Sequence, residues 1–261
     1  MDGVAAALIV LLHQTATGSF FVLLAAPEGL RRRGFLKVVA FTALALEGVI
    51  FGVSFALTGI TLWMVGFSLV AILFTGSLFL KEAEKGFFMY RLLVLIGVLT
   101  LAASALPFRI ASSLSFNDGF LFLNFFLSAL LLGSVTTGML LGHWYLIEPG
   151  LSIKPLKRLT ALYVLSTLAQ GFFILVTLGL LASTGDGPPR ASLFLSQYGL
   201  ILAGRVGVGI LASVVLGILV WETLKIPHTQ AATGLLYVAV VMAVVGEFLG
   251  RYLLVVSLVP L

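Results

Sequence analysis

Glu247 and Arg251 lie four residues apart in Gly246-Glu247-Phe248-Leu249-Gly250-Arg251-Tyr252, inside an otherwise apolar stretch. A helix brings positions i and i+4 onto one face, so the carboxylate and the guanidinium can meet, while Gly246 and Gly250 let a neighbouring helix approach closely. Such a pair in an apolar medium has two uses. It can neutralise itself and lock helices together, or it can offer a proton acceptor beside a fixed positive charge. Glu47, Arg205 and His13 are further ionisable residues within apolar runs. With a carboxylate and a guanidinium added on separate segments, a site becomes the stronger expectation. His13 also opens a polar run, His13-Gln14-Thr15-Ala16-Thr17-Gly18-Ser19. Helical spacing groups Gln14, Thr17 and Gly18 on one face, with His13 at its edge. That face can bond and pack against other helices, or His13 and Gln14 can hydrogen-bond a ligand, with His13 exchanging a proton.

The elements that position these residues follow from hydropathy. The chain has 261 residues, is 61% hydrophobic and only 10% charged, and has a mean hydropathy of +1.20. A soluble domain carries about 25% charged residues, so the expectation is an all-α, polytopic membrane protein. A span needs roughly 20 apolar residues. By that measure eight segments emerge, at about 4–27, 35–58, 60–80, 90–107, 119–147, 157–181, 193–223 and 232–257. Breaks fall at Pro27 with Arg31-Arg32-Arg33, Lys81 to Lys85, Pro107 to Asp118, Pro149 to Pro155, Thr184 to Pro189, and Pro227, with a further break near Thr58-Gly59. Met1-Asp2-Gly3 lacks the basic start of a secretory signal, so the first segment is read as a span.

The formal charge of +5 reflects topology and lipid headgroups rather than nucleic acid. Arg31, Arg32, Arg33, Lys37, Lys81, Lys85, Arg91, Lys154, Lys157, Arg158 and Lys225 fall on one side, against Arg109 and Arg190 on the other. The basic side is expected in the cytoplasm and both termini outside. No loop is large enough for a second domain, so residues 1–261 form a single integral membrane domain. Four helices on each side of residue 118 suggest two four-helix bundles in parallel topology, 1–118 and 119–261. Pro27-Glu28-Gly29-Leu30 and Glu148-Pro149-Gly150-Leu151, each followed by basic residues, give that a faint internal likeness.

Depth counting from the outer ends, at about 1.5 Å per residue, sends His13, Glu47, Arg205, Glu247 and Arg251 to one zone. In the fifth segment, small residues at 134, 138 and 142 make a close-approach face, and His143, Trp144 and Tyr145 read as interfacial anchors, as do Gln197 and Tyr198 at the outer end of the seventh. A bis-histidine haem is not expected, because His13 is deep, His143 is near the cytoplasmic face and His228 is beside Pro227; Met64, Met139 or Met242 remain conceivable second ligands. There is no cysteine, so the chain has no disulfides and no iron–sulfur thiolates. No phosphate loop, Ser-His-Asp set or metal-ligand spacing is present.

Gly246-Glu247-Phe248-Leu249-Gly250-Arg251, together with Tyr198-Gly199-Leu200 followed by Arg205, resembles the membrane-anchor (DmsC-type) subunits of dimethyl-sulfoxide reductases, within the wider NrfD and polysulfide-reductase-anchor superfamily. Weaker likeness covers Gln14 to Leu23 and Phe125 to Leu140. The resemblance implies an eight-helix anchor that binds menaquinone or ubiquinone in the outer bilayer and has no haem. It also implies partners: an iron–sulfur subunit and a molybdenum-containing catalytic subunit. Glu247, Arg251 and Arg205 match the family pattern, whereas His13 and Glu47 are added from depth and charge. The family's His-containing segment after the second helix has no counterpart in Ser54 to Trp63.

The resulting expectation is a non-catalytic or quinol-oxidising subunit of a respiratory complex in a bacterial or archaeal cytoplasmic membrane. His13 or Gln14 would bond a quinol hydroxyl, Glu47 or Glu247 would accept the proton, and Arg205 or Arg251 would tune that carboxylate. A small proton-coupled transporter is the competing expectation, with the glycines at 204, 207 and 209 loosening the seventh helix. A structural or assembly subunit with a charge lock is the third.

Overall fold

The structure is a computed structural model, and it describes residues 3–24, 33–79, 83–108, 118–148, 150–183, 190–226 and 228–261. Arg31, Arg32, Lys81 and Arg109 of the charge count lie outside those residues, as do Pro27 to Leu30, Pro149, Thr184 to Pro189 and Pro227. Every described element is helical. In chain order they are α1 (Gly3–Leu24), α2 (Arg33–Val53) running into a π-helical turn (Ser54–Thr58), α3 (Leu62–Ser77), α4 (Ala83–Ala105) ending in a 3-10 turn (Leu106–Phe108), α5 (Asp118–Ile147), α6 (Lys154–Ser183), α7 (Arg190–Gly204), a π-helical stretch (Arg205–Ala212), α8 (Ser213–Lys225) and α9 (Thr229–Ser257). The α7–π–α8 run is one continuous rod, so seven helices among the described residues are long and apolar enough to cross a membrane, and α3, at 16 residues, is a shorter apolar eighth. This is an all-α, multi-pass membrane protein.

The outward surface has the composition that lipid requires. Phe55, Leu62, Phe172, Leu175 and Leu200 are among many large apolar side chains left exposed, while Glu47, Arg205, Glu247 and Arg251 are buried. A water-soluble domain rarely exposes contiguous apolar surface on this scale.

Helix α1 is the interior element: 83% of its most apolar stretch is buried, against 33% for α2 and 39% for α9. It packs along α5 and α9 and also touches α2 and α4, while α3 lies against α2 and α4. On the other side, α5 neighbours α6 and α9, and α8 packs on both of those. Small residues allow this density. Gly18 of α1 sits directly on Ala129 and Gly133 of α5, where a Cβ on Gly18 or Gly133 would run into the facing backbone. The polar run of α1 survives burial because its hydroxyls bond their own helix: Thr15 Oγ1 donates to the Leu11 carbonyl, Thr17 to His13 and Ser19 to Thr15.

The expected break near Thr58-Gly59 is real and has a structural cause. The Gly59 amide donates to the Ser54 carbonyl at 2.6 Å, closing the π-helical turn, and Gly59 then takes φ of +84°. That conformation suits glycine, so the helix ends there and the chain re-enters as α3.

Candidate functional site

The five ionisable candidates form two bonded sets that no hydrogen bond or ion pair joins among the described residues, and Gln14 bonds to neither. Depth along a helix is too coarse to separate them, because it carries no information about position around the bundle.

The first set is built on Glu247. Arg205 Nη1 stands 2.8 Å from Glu247 Oε1, and Arg251 Nη2 is 3.7 Å from Oε2. The i,i+4 partner is therefore the more distant one, and the arginine from the π-helical stretch holds the carboxylate. Arg251 turns instead to α5: its Nη2 donates to Asn124 Oδ1 and to Ser128 Oγ, both at 2.5 Å, and its guanidinium carbon lies 4.6 Å from the centre of the Phe125 ring. Gln170 of α6 completes this layer by donating to Ser128 Oγ at 2.7 Å and to the Asn124 carbonyl at 3.3 Å. All the charged members are at most 1% exposed.

Backbone geometry makes this layer possible. A Cβ on Gly209 would stand 2.7 Å from Gly246 Cα, so the π-helical stretch and α9 cross with no side chain between them. One turn on, Gly250 gives way to Arg205, since a Cβ there would lie 2.9 Å from Arg205 Nε and 2.8 Å from the Leu261 backbone oxygen. Gly246 thus admits a helix, as expected, and Gly250 admits a guanidinium. The π-helical stretch adds a residue to the turn and so rotates α8 relative to α7. It starts at Arg205 itself.

The second set lies between α1, α2 and α3. His13 Nδ1 is 3.0 Å from Glu47 Oε1, and Ser68 Oγ donates to Glu47 Oε2 at 3.1 Å. Both carboxylate oxygens therefore have partners. The imidazole is flanked by Trp63 at 4.6 Å and Phe67 at 5.1 Å between ring centroids. His13 Nε2 has no partner although His13 is wholly buried. Gln14, next in the chain, is equally buried, and neither amide atom has a partner. Buried polar atoms are almost always satisfied, and an exception calls for an explanation.

Sequence reasoning missed Asn124, Ser128 and Gln170, which form the layer around Arg251, and Ser68 and Trp63, which frame His13 and Glu47. Asn124 and Gln170 did carry a signal, being uncharged amides within apolar runs. Ser68 carried none, because a serine in a membrane helix usually bonds its own backbone.

The remaining histidines are exposed, His143 near the end of α5 and His228 just before α9. The expected anchors at the α5 end are tied to backbone or neighbouring side chains: Trp144 Nε1 donates to Glu148 at 3.2 Å and Tyr145 to the Ser152 carbonyl at 2.6 Å. Tyr198 donates to the Val256 carbonyl at 3.4 Å. Among the described residues, no group of three His, Cys, Asp or Glu is arranged to hold a metal ion.

Fold and site together define a multi-pass membrane protein with two buried polar centres. No family model, no curated protein and no solved structure matches the chain.

Proposed function

We propose that this chain is the quinone-interacting membrane subunit of a multisubunit respiratory oxidoreductase. The observation that carries the reading is the buried His13, with one ring nitrogen on Glu47 and the other facing no partner. That is the arrangement of a hydroxyl acceptor backed by a carboxylate. Glu47 Oε1 accepts the Nδ1 hydrogen, which selects the tautomer with a lone pair on Nε2. Nε2 then accepts a hydrogen bond from a phenolic hydroxyl and can take its proton. The imidazolium so formed lies 3.0 Å from the carboxylate that stabilises it. Ser68 holds the second carboxylate oxygen and keeps Glu47 oriented. The unpartnered Gln14 amide is one residue on, on the α1 face that Gly18 presents to α5, while Trp63, only part-buried, offers a flat ring beside the imidazole. A bound quinol would supply both electrons and protons.

On this reading the species is menaquinone or ubiquinone, and the electrons pass to an iron–sulfur subunit and onward to a molybdenum-containing catalytic subunit. The chain is a single integral domain of two four-helix halves, 1–118 and 119–261, with both termini outside, in a bacterial or archaeal cytoplasmic membrane. The proton acceptor is Glu47 with His13. Glu247 has no imidazole beside it, and its two oxygens face arginines.

Titration of the purified complex with a quinone analogue tests this. Glu47→Gln and His13→Gln should each weaken analogue binding by about tenfold or more, the loss of a charge-assisted hydrogen bond. Unchanged turnover and unchanged inhibitor binding in both variants would sink the proposal. Co-purification of an iron–sulfur protein with the tagged chain tests the partner.

The π-helical stretch Arg205–Ala212 favours a second reading, a small proton-coupled transporter, because it puts an irregular helix with buried charge in the middle of a span. Proton-coupled uptake into vesicles containing only this protein would support it.

A further inference from the structure

Among the described residues, nine keep buried side-chain nitrogens or oxygens with no hydrogen-bond partner, and six of the nine fall along one line through the bundle. Gln14 leaves both amide atoms unpartnered, and Ser213 and Tyr163 leave their hydroxyls. Arg205, Arg251 and Glu247 leave nitrogens and oxygens that meet only as ion pairs. All six residues are at most 1% exposed. Buried polar atoms are nearly always satisfied, so a row of exceptions points to a shared partner.

Two glycines of α1 give the direction of Gln14. A Cβ on Gly3 would meet Val255, Val256 and Tyr252 of α9, and one on Gly18 would run into Ala129 of α5. Gln14 is three turns beyond Gly3 and one turn before Gly18, so it shares the face of both and points into the seam between α9 and α5. Depth agrees. The start of α1 meets the end of α9, so the two helices run antiparallel. Gln14 then lies about 17 Å along α1 from Gly3, and Glu247 about 12 Å back along α9 from Val255, within about one turn of each other. Gln14 therefore faces the Glu247 layer, yet bonds none of it.

On the other side of the layer, Arg205 Nη1 lies 3.2 Å from the place a Cβ on Gly209 would take. Ser213 follows Gly209 by one turn, and Tyr163 of α6 reaches it: the tyrosine ring lies 3.4 Å from a Cβ on Gly217, and its hydroxyl comes up beside Ser213. Along α6, Tyr163 stands between Gln170 of the layer and the basic Lys157 and Arg158. The guanidiniums along this line need an acceptor, and the carboxylate and the Gln14 carbonyl need a donor. Water is both.

We propose that a chain of ordered water runs from Gln14 through the Glu247 layer to Ser213 and Tyr163, binds the unpartnered atoms and exchanges with bulk water. The layer then both holds the helices and stays in proton exchange with solvent. This path is separate from the His13–Glu47 centre and does not rest on the quinone reading.

The test is X-ray radiolysis of the full chain in phosphatidylcholine nanodiscs, read by mass spectrometry, because hydroxyl radicals formed from bound water oxidise the side chains next to it. Tyr163 should be oxidised, and so should Phe125, whose ring centre stands 4.6 Å from the Arg251 guanidinium carbon. Phe172, 69% exposed on the outer face of the same helix as Tyr163, should not. Brief mixing with oxygen-18 water before exposure should carry the isotope into the Tyr163 product. Gln14→Leu should abolish the label on Phe125 and leave that on Tyr163. It should also lower the midpoint of thermal unfolding, since bound water loses a partner; a Gln14 that binds nothing would gain from the change, and the midpoint would rise. Should Gln14→Leu fail to fold, the labelling of the unaltered chain decides. Unlabelled Tyr163 or Phe125, label on Phe172 as strong as on Tyr163, no oxygen-18 incorporation, undiminished Phe125 label in Gln14→Leu, or a raised midpoint would each overturn the proposal.

Discussion

The two buried centres use the same kinds of residue in opposite ways. In the Glu247 layer the helices meet at glycines, two arginines bracket one carboxylate, and α5, α6, α9 and the π-helical stretch each contribute a bonded group. Removing any member leaves a charge or a donor without a partner. In the His13–Glu47 centre every carboxylate oxygen is satisfied, but one imidazole nitrogen is spare and an aromatic ring that is only part-buried stands beside it. The first arrangement holds four segments of helix together. The second is a carboxylate-backed base with one open position. Counting charges treats them alike; the kind of partner separates them, since Glu47 is hydrogen-bonded by an imidazole and a hydroxyl whereas Glu247 faces two guanidiniums, several of whose nitrogens make no hydrogen bond.

The sharpest way to break the comparison is Glu247→Leu. It strands two guanidiniums at a site no more than 1% exposed, and breaking a buried pair costs about 3–5 kcal/mol or more. We expect loss of folded protein, read as collapse of the monodisperse peak after detergent extraction. Gly209→Ala comes next: the added methyl would stand 2.7 Å from Gly246 Cα, and overpacking of this kind costs about 1–3 kcal/mol, read as a lower midpoint of thermal unfolding. A normal midpoint would mean that the crossing is looser than the geometry requires.

Gln170→Ala removes a donor to Ser128 and to the Asn124 carbonyl, and we expect a loss of about 1–2 kcal/mol in the same assay. Glu47→Gln keeps the shape of the other centre. Its thermal effect should stay near about 1 kcal/mol while quinone-analogue binding falls, so stability and binding separate there and move together in the Glu247 layer. If Glu47→Gln destabilised as severely as Glu247→Leu, the distinction between the centres would be lost. The Lys225–Glu222 pair, with both side chains more than half exposed at 56% and 55%, serves as the baseline: Lys225→Ala should change stability by less than about 0.5 kcal/mol.

Much of the architecture was legible because lipid imposes a simple rule. Backbone polar groups must be satisfied within each segment, so apolar runs of sufficient length read directly as helices. The starts and ends of α5 and α6 fall within a few residues of their expected positions. What did not read out was the form and exact start of one irregularity. The glycines at 204, 207 and 209 pointed to a loosened helix, but the π-helical stretch that begins at Arg205, packed against α9, carries no mark of its own in the sequence.

The Glu247–Arg251 pair shows where sequence information ends. Helical periodicity by itself determined that these two share a face, that Gly246 clears an approach, and that charge this deep needs partners. Polar and ionisable residues within apolar runs likewise singled out His13, Gln14, Glu47 and Arg205. Tertiary structure alone decided who pairs with whom: Arg205 takes Glu247, Arg251 turns to Asn124 and Ser128 on α5, and Glu47 joins His13 and Ser68. The physical reason is that an ion pair forms at the shortest distance the packed backbones permit. That distance is set by glycine contacts between helices far apart in the chain, which spacing along one helix cannot encode.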